Sequence, residues 1–166
     1  MRKFIAFSMT VALILGCLCS CGKDSRTALQ VLEDIFENEK ELPSGQLYLT
    51  GAEAGASEYF SDRMVSVMYG EKAKDQYFYL IGDGAVFLSS FANAFEIAVF
   101  RCYSKSDVDS ICEMCFSRCD TVRSVINHQK GFENVKARVF FSGKYVCMYV
   151  GEDPDGAERA FVNALK

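Results

Sequence analysis

The chain from residue 27 onward opens with apolar residues at helical spacing. Four of them recur at intervals of three and four: Leu29, Leu32, Ile35 and Phe36. Such spacing places them on one face of a helix. Asp24 and Ser25 precede them as residues that can cap a helix, and Leu42-Pro43-Ser44-Gly45 interrupts the pattern. The pattern predicts a first amphipathic helix between these two stretches.

Residues 57–80 carry a mixed pattern. Phe60, Met64, Val67 and Met68 fit a helix, whereas the segment RMVSVMY also alternates as a strand would. Periodicity alone does not separate the two for short apolar runs. We predict short helices here.

Two segments rich in Val, Phe and Ile follow Gly82-Asp83-Gly84, a pattern typical of a turn. Ala85 to Ala92 and Phe95 to Tyr103 have the composition of strands, and only Asn93-Ala94 separates them. The pattern predicts two antiparallel strands with a tight connection.

The following segment predicts a long helix. Ser106 stands three residues before Asp109, the spacing of a capping box in which a hydroxyl accepts a hydrogen bond from an orphan backbone amide. We expect the helix to run from about Asp107 to about Gln129 and to stop at Gly131.

A second strand pair and a closing helix complete the chain. Val135 to Phe141 and Lys144 to Val150 flank Ser142-Gly143, which is a hairpin signal. Asp153 before Pro154 then places an acid at the N-cap and proline at the first position of a helix through residue 165. From residue 85 the order is strand-strand-helix-strand-strand-helix. It predicts an α+β fold with a four-stranded antiparallel sheet, helices packed on it and additional N-terminal helices.

The second hairpin has two different faces. With Ser142-Gly143 as its turn, one face is apolar and pairs Val139 with Val146, Ala137 with Met148 and Val135 with Val150. The opposite face carries basic, aromatic and thiol side chains: Lys136, Arg138, Phe140, Tyr145, Cys147 and Tyr149. Tyrosines beside basic side chains are typical of binding hot spots. Either the first helix covers this face as a second core layer, or Lys136, Arg138, Tyr145 and Tyr149 form an open partner-binding face.

The stretch CEMCFSRC, residues 112–119, raises the question of a metal or redox site. On a helix, eight residues share an arc of about 140°, the width of a core-facing stripe: Val108, Ile111, Cys112, Cys115, Phe116, Cys119, Val122 and Ile126. Buried free cysteine behaves as a small hydrophobe, so core packing explains the pattern. A metal site and a redox or disulfide role are the alternatives. We predict buried, reduced cysteines with no metal and no cofactor.

Two other motifs have plainer explanations than chemistry. His128, the single histidine, would complement the helix dipole from the last turn of the long helix. The D-x-D-G string at Asp153 to Gly156 lacks the later ligands of a calcium loop, so helix capping explains it better.

The N-terminus has the features of an export signal. Arg2 and Lys3 precede an uncharged apolar stretch, and Leu18-Cys19-Ser20-Cys21 resembles the box cut by the lipoprotein signal peptidase. We therefore predict a signal peptide over residues 1–20 and lipidation of Cys21. Cys17 is a second candidate for the lipid, and an uncleaved signal anchor is a third interpretation.

The predicted mature chain is acidic. Removing residues 1–20 takes away two cations and no acid, which leaves 16 basic against 22 acidic side chains and a net charge of −6. Such a surface should be repelled by nucleic acid. The remaining length suits one domain and is short for two. We predict a short tether over residues 21–26 and a single α+β domain over residues 27–166.

Several segments together resemble a known family. The strand Glu96-Ile97-Ala98-Val99-Phe100-Arg101, the amphipathic helix after it, Gly143-Lys144-Tyr145-Val146 and the acidic Glu152-Asp153 resemble the domain of unknown function 4358 family. The resemblance covers roughly residues 28–165 and departs in the short segment 127–132. It implies a small lipoprotein or exported protein of clostridia and their relatives, located on the outer face of the cytoplasmic membrane. It implies no activity.

Two function classes follow. No nucleophile–base pair or ligand cluster is visible, which favours a non-enzymatic binding or adaptor module of the cell envelope. Its partner would be an envelope protein or a cell-wall component. The alternative is a small envelope hydrolase that uses acidic residues.

Overall fold

The computed structural model describes residues 26–39, 41–89 and 94–166. The predicted signal peptide, Cys17, Cys21 and most of the predicted tether lie outside the described residues. Within the described ranges the chain forms five α-helices, which are α1 (Ala28–Phe36), α2 (Asp62–Tyr69), α3 (Ala73–Gln76), α4 (Val108–Ile126) and α5 (Pro154–Ala164). It also forms five strands, which are β1 (Gly45–Leu49), β2 (Ile81–Ser89), β3 (Glu96–Cys102), β4 (Lys136–Ser142) and β5 (Tyr145–Gly151). None of these helices combines the length and apolar character that crossing a membrane requires.

The strands form one antiparallel sheet in the order β1-β2-β3-β5-β4. The α+β class is as predicted, but the sheet has five strands and the prediction of four is wrong. The missed strand, β1, pairs only with β2 in this order and is partly exposed along its length. An edge strand buries few side chains, so its sequence carries a weak apolar pattern.

The predicted turn at Gly82-Asp83-Gly84 is also wrong, because these residues lie inside β2. The pairing with β3 shifts between Ile81 and Asp83, which is the position of a bulge. Gly84 is needed for close packing, since a Cβ there would lie 2.7 Å from the Phe100 ring and 2.8 Å from Thr50. The glycines thus mark a close approach within a strand. Strand β3 lies within its predicted bounds. Ala92, the predicted end of the preceding strand, falls outside the described residues, and so does Asn93 of the predicted connection.

The short helices predicted for residues 57–80 are confirmed as α2, α3 and a 3-10 turn at Phe78–Leu80. Helix α1 is also confirmed. It begins with a capping box in which Thr27 accepts from the Gln30 amide and the Gln30 side chain accepts from the Thr27 amide. The predicted caps, Asp24 and Ser25, lie outside the described residues.

Helix α4 begins at Val108, within one residue of the predicted start, but its capping box is not the predicted one. The capping box is formed by Ser104 and Asp107 around a 3-10 turn, and not by Ser106 and Asp109. The helix ends at Ile126, before the predicted end at Gln129. Helix α5 is capped as predicted, because the Asp153 carboxylate accepts from the Gly156 amide and Pro154 occupies the first turn.

The hairpin of β4 and β5 is confirmed, but its register differs from the prediction by two residues. Ser142 pairs with Tyr145, so the two-residue loop is Gly143-Lys144. Val139 consequently lies opposite Met148. Since strand side chains alternate with a period of two, a shift of two residues leaves the two faces of the hairpin unchanged.

Both faces of the sheet are covered. One face packs against α4 with α2 and α3, and the other packs against α1 and α5. Strands β3 and β5 are therefore buried almost completely. The helical layers leave the outer edges of β1 and β4 as the ends of the sheet.

Candidate functional site

The predicted partner-binding face of the hairpin is not open. Tyr145 is 2% exposed and Tyr149 is 0% exposed, and both belong to the core under α1 and α5. The Tyr145 hydroxyl donates to the Arg26 carbonyl at 2.7 Å, and the Asp153 amide donates to the Tyr149 hydroxyl at 3.3 Å. The two tyrosines are thus core residues, and the second-layer interpretation is the correct one. The sequence pattern indicated α1 as the cover, whereas α5 also packs here.

The two basic residues of that face have a different environment, because β4 is the edge of the sheet. The Arg138 guanidinium donates to Asp155 at 2.6 Å and to Glu158 at 3.3 Å. This contact holds the pKa of Asp155 below its usual value. Lys136 is exposed at the start of the strand. These two residues therefore remain at the surface while the tyrosines do not.

A groove lies between the start of β4 and the end of α4. Its volume is about 340 Å³, and three of its lining residues are basic and none is acidic. The lining residues are Arg123, Ile126, Asn127, Val135, Lys136, Ala137 and Arg138. We call this feature the β4 groove. Two of these cations are paired with acids outside the lining, Arg123 with Asp120 and Arg138 with Asp155 and Glu158. Lys136 is the cation of the groove that has no ion pair within the described part of the chain.

Arg123 connects the two walls of the β4 groove. Its guanidinium donates one hydrogen bond to the Ala137 carbonyl and another, at 2.9 Å, to Asp120 on its own helix. The Ala137 contact occupies a backbone acceptor on the edge strand. The local sequence pattern did not identify Arg123, because only the tertiary contact between α4 and β4 places it here.

A second groove is lined by Lys74, Asp75, Phe78 and Tyr79 and has a volume of about 510 Å³. Its single carboxylate comes from Asp75. Neither groove brings two carboxylates together, so neither has the acid pair of a glycoside hydrolase.

The five cysteines among the described residues are free and buried. This confirms the prediction of core packing for Cys112, Cys115 and Cys119. Burial raises the pKa of Cys112 and of Cys119 to about 11 and that of Cys102 to about 12. No group of three or more His, Cys, Asp or Glu side chains in the described part of the chain is arranged to hold a metal ion.

The predicted stripe of α4 needs one correction. Phe116 is 50% exposed, whereas Met114, which lies outside the predicted arc, is buried. The flanking helix α2 packs against α4 and contributes to the same core as Met114. The side of the helix that carries Phe116 stays half-exposed among the described residues.

A buried polar cluster was not predicted. Glu96 is 5% exposed at the start of β3, and Arg118 of α4 donates to both of its carboxylate oxygens. The Tyr69 hydroxyl is buried nearby and has no hydrogen-bond partner in the described part of the chain. None of the three residues lines either groove. The cluster is therefore a feature of the core, and no pattern in the sequence distinguishes Glu96 from an exposed glutamate.

The remaining sequence motifs stay at the surface. His128 is exposed just after the end of α4, where its amide donates to the Val125 carbonyl at 3.3 Å. Asp153 caps α5. Neither residue lines the β4 groove.

No protein-family model, no curated protein and no solved structure matches this chain. The functional conclusion consequently depends on the residues and their geometry.

Proposed function

We propose that this protein is a lipid-anchored binding module on the extracytoplasmic face of the cell membrane and that it holds its partner in the β4 groove. The observation that carries the binding site is the exposed Lys136 in the lining of this groove, which contains no acid and where Lys136 makes no ion pair within the described part of the chain. Charge complementarity of this kind steers association and selects partners.

The location of the groove supports the same conclusion. It adjoins an edge strand, and an edge strand offers backbone donors and acceptors to a partner. The alternative of an acid-using hydrolase receives no support from the two grooves, since neither pairs two carboxylates.

The proposed address comes from the N-terminal sequence. A basic start, an uncharged apolar stretch and the box ending at Cys21 favour export followed by lipidation. The resemblance to the domain of unknown function 4358 family supports the same address and stays a prediction.

The anchor is tested by replacing Cys21 with Ala and following membrane fractionation and precursor size. We expect the unprocessed precursor to accumulate and the lipid to be lost. Cys17→Ala is the matched control and should be processed normally. Normal processing of Cys21→Ala with lipid retained would transfer the assignment to Cys17.

The binding site is tested by site-specific photo-crosslinking in intact membranes of the native host. A photoreactive residue at position 127, in the wall of the groove, should give discrete crosslinked products. The control position is 53, which is exposed beyond the other edge of the sheet. Addition of Lys136→Glu should reduce the products from position 127. Equal products from positions 127 and 53 would reject the groove as the binding site.

A further inference from the structure

We infer that the β4 groove takes an extended, acidic segment of a partner protein, which pairs with the outer edge of β4 as an additional strand. The inference rests on the proposed function, because it names the kind of partner that the same site would bind.

The free edge of β4 can be identified residue by residue. In a two-residue hairpin the residues that flank the loop, here Ser142 and Tyr145, form a hydrogen-bonded pair. Because hydrogen-bonded pairs alternate along an antiparallel ladder, the backbone groups of Ala137, Val139 and Phe141 point away from β5. The hydrogen bond from Arg123 to the Ala137 carbonyl independently confirms this direction.

The opposite edge of the sheet is protected, and this contrast singles out β4. On β1 the Leu49 amide donates to the Glu58 carbonyl at 2.8 Å, and the Gln46 side chain donates to the Leu47 carbonyl at 3.1 Å. On β4 the Arg123 side chain covers the Ala137 carbonyl at one end of the strand. Within the described residues no hydrogen bond is made by the outward backbone groups of Val139 and Phe141, and unpaired groups on an edge strand are a template for strand addition.

The uncovered end of β4 carries an exposed aromatic ring. Phe141 is 61% exposed. Phe116 lies seven residues before Arg123 on α4, which is two turns along the helix and within about 20° of the same direction. The half-exposed Phe116 ring is therefore on the same side of α4 as Arg123, which reaches the start of β4. The edge is thus apolar at one end and cationic at the other.

An acidic side chain on the incoming strand fits the cationic end. It can pair with Lys136 and replace the Ala137 carbonyl on Arg123, whose other contact, with Asp120 on its own helix, is retained. The Ala137 carbonyl then becomes free to accept a backbone amide of the added strand. An apolar residue farther along the same segment would cover Phe141.

A second copy of this chain fits less well. Antiparallel pairing of two β4 strands about Val139 would place Ala137 of each copy opposite Phe141 of the other. This pairing would displace Arg123 from the Ala137 carbonyl in both copies. It would also bring no acidic side chain to the cationic end, because β4 contains no Asp or Glu. Two acidic chains also repel one another. The charge pattern therefore favours an acidic partner segment.

The test uses the full chain in detergent micelles and a phage-displayed library of random nine-residue peptides. Peptides enriched on the wild-type protein should contain Asp or Glu followed or preceded by apolar residues at alternate positions. The best peptide is then synthesised with single N-methyl groups along its backbone. Methylation of alternate amides should weaken binding about tenfold each, and methylation of the amides between them should have little effect, because only alternate amides face β4.

Matched variants connect the binding to this edge. Lys136→Glu and Phe141→Ser should each weaken binding of the selected peptide by about tenfold or more. Their controls are Lys72→Glu and Tyr79→Ser, which change an exposed lysine and an exposed tyrosine away from β4. Circular dichroism checks that all four variants remain folded.

Three results would overturn the inference. In the first, no peptide is enriched on this protein relative to an unrelated protein. In the second, binding of the selected peptide does not follow the alternation of methylated amides. In the third, sedimentation shows a dimer that Phe141→Ser dissociates. If crosslinking at position 127 succeeds while the methylation pattern is absent, the proposed function stands and strand addition is wrong. If crosslinking at position 127 fails, the proposed function itself is wrong.

Discussion

Arg118 on α4 donates two hydrogen bonds to the buried carboxylate of Glu96 on β3, from Nε at 3.1 Å and from Nη2 at 2.7 Å. The pair joins the main helix to one of the two most buried strands of the sheet. A buried carboxylate without its cation is costly, whereas two apolar residues in the same place need not be.

Replacing only Arg118 should therefore destabilise the protein strongly. We expect Arg118→Met to lower the free energy of unfolding by about 3–5 kcal/mol in a urea titration, and the double variant Glu96→Met with Arg118→Met to lose less. The control is Lys74→Met, which removes an exposed partner of Asp62 and should change the stability little. A similar cost for Arg118→Met and Lys74→Met would contradict the prediction.

Two tyrosine hydroxyls should respond differently to removal. Tyr69→Phe is expected to leave stability unchanged or raise it, because that buried hydroxyl has no partner in the described part of the chain. Tyr145→Phe should cost about 1–2 kcal/mol, because it leaves the Arg26 carbonyl without its donor. Thermal or urea unfolding of both variants measures the difference. A clear loss of stability in Tyr69→Phe would mean that a bound water satisfies its hydroxyl.

The buried thiols should make the protein less stable in alkali. Burial raises the pKa of Cys112 and of Cys119 from 9.0 to about 11, so the folded chain keeps protons that the unfolded chain releases. Their contribution is complete below pH 9 and is lost as the pH rises toward 11. Urea unfolding between pH 7 and 11 should show this loss, and the double variant Cys112→Ala with Cys119→Ala should show a shallower one. Equal slopes in the two proteins would contradict the assignment.

The hairpin loop should depend on Gly143, whose φ is +61° in the left-handed region. We expect Gly143→Val to cost about 1–2 kcal/mol, since a β-branched residue rarely adopts this conformation, and Gly143→Asn to cost less. The loop is open to solvent, so a clash does not add to the effect. Equal stability of the two variants in urea would show that the backbone conformation is not the cause.

The local pattern of the sequence determined much of this protein. The Val, Phe and Ile content identified β3, and the hairpin signal at Ser142-Gly143 identified β5. Helical spacing identified α1 and the burial of Cys112, Cys115 and Cys119. These features follow from the side chains of each segment, because an apolar face must be buried whatever covers it. The two faces of the hairpin were also predicted, because a register shift of two residues keeps each side chain on its own face.

The tertiary structure decided what covers each face and where the sheet ends. Periodicity put Phe116 inside the predicted stripe and Met114 outside it, and only the contact with α2 buries the side of Met114. In the same way, Tyr145 and Tyr149 are core residues because α1 and α5 both pack on them. Arg123 and Lys136 lie together at the edge of the sheet for the same kind of reason. A segment records how apolar its own faces are, but the neighbours that bury or expose those faces are brought to it by distant parts of the chain.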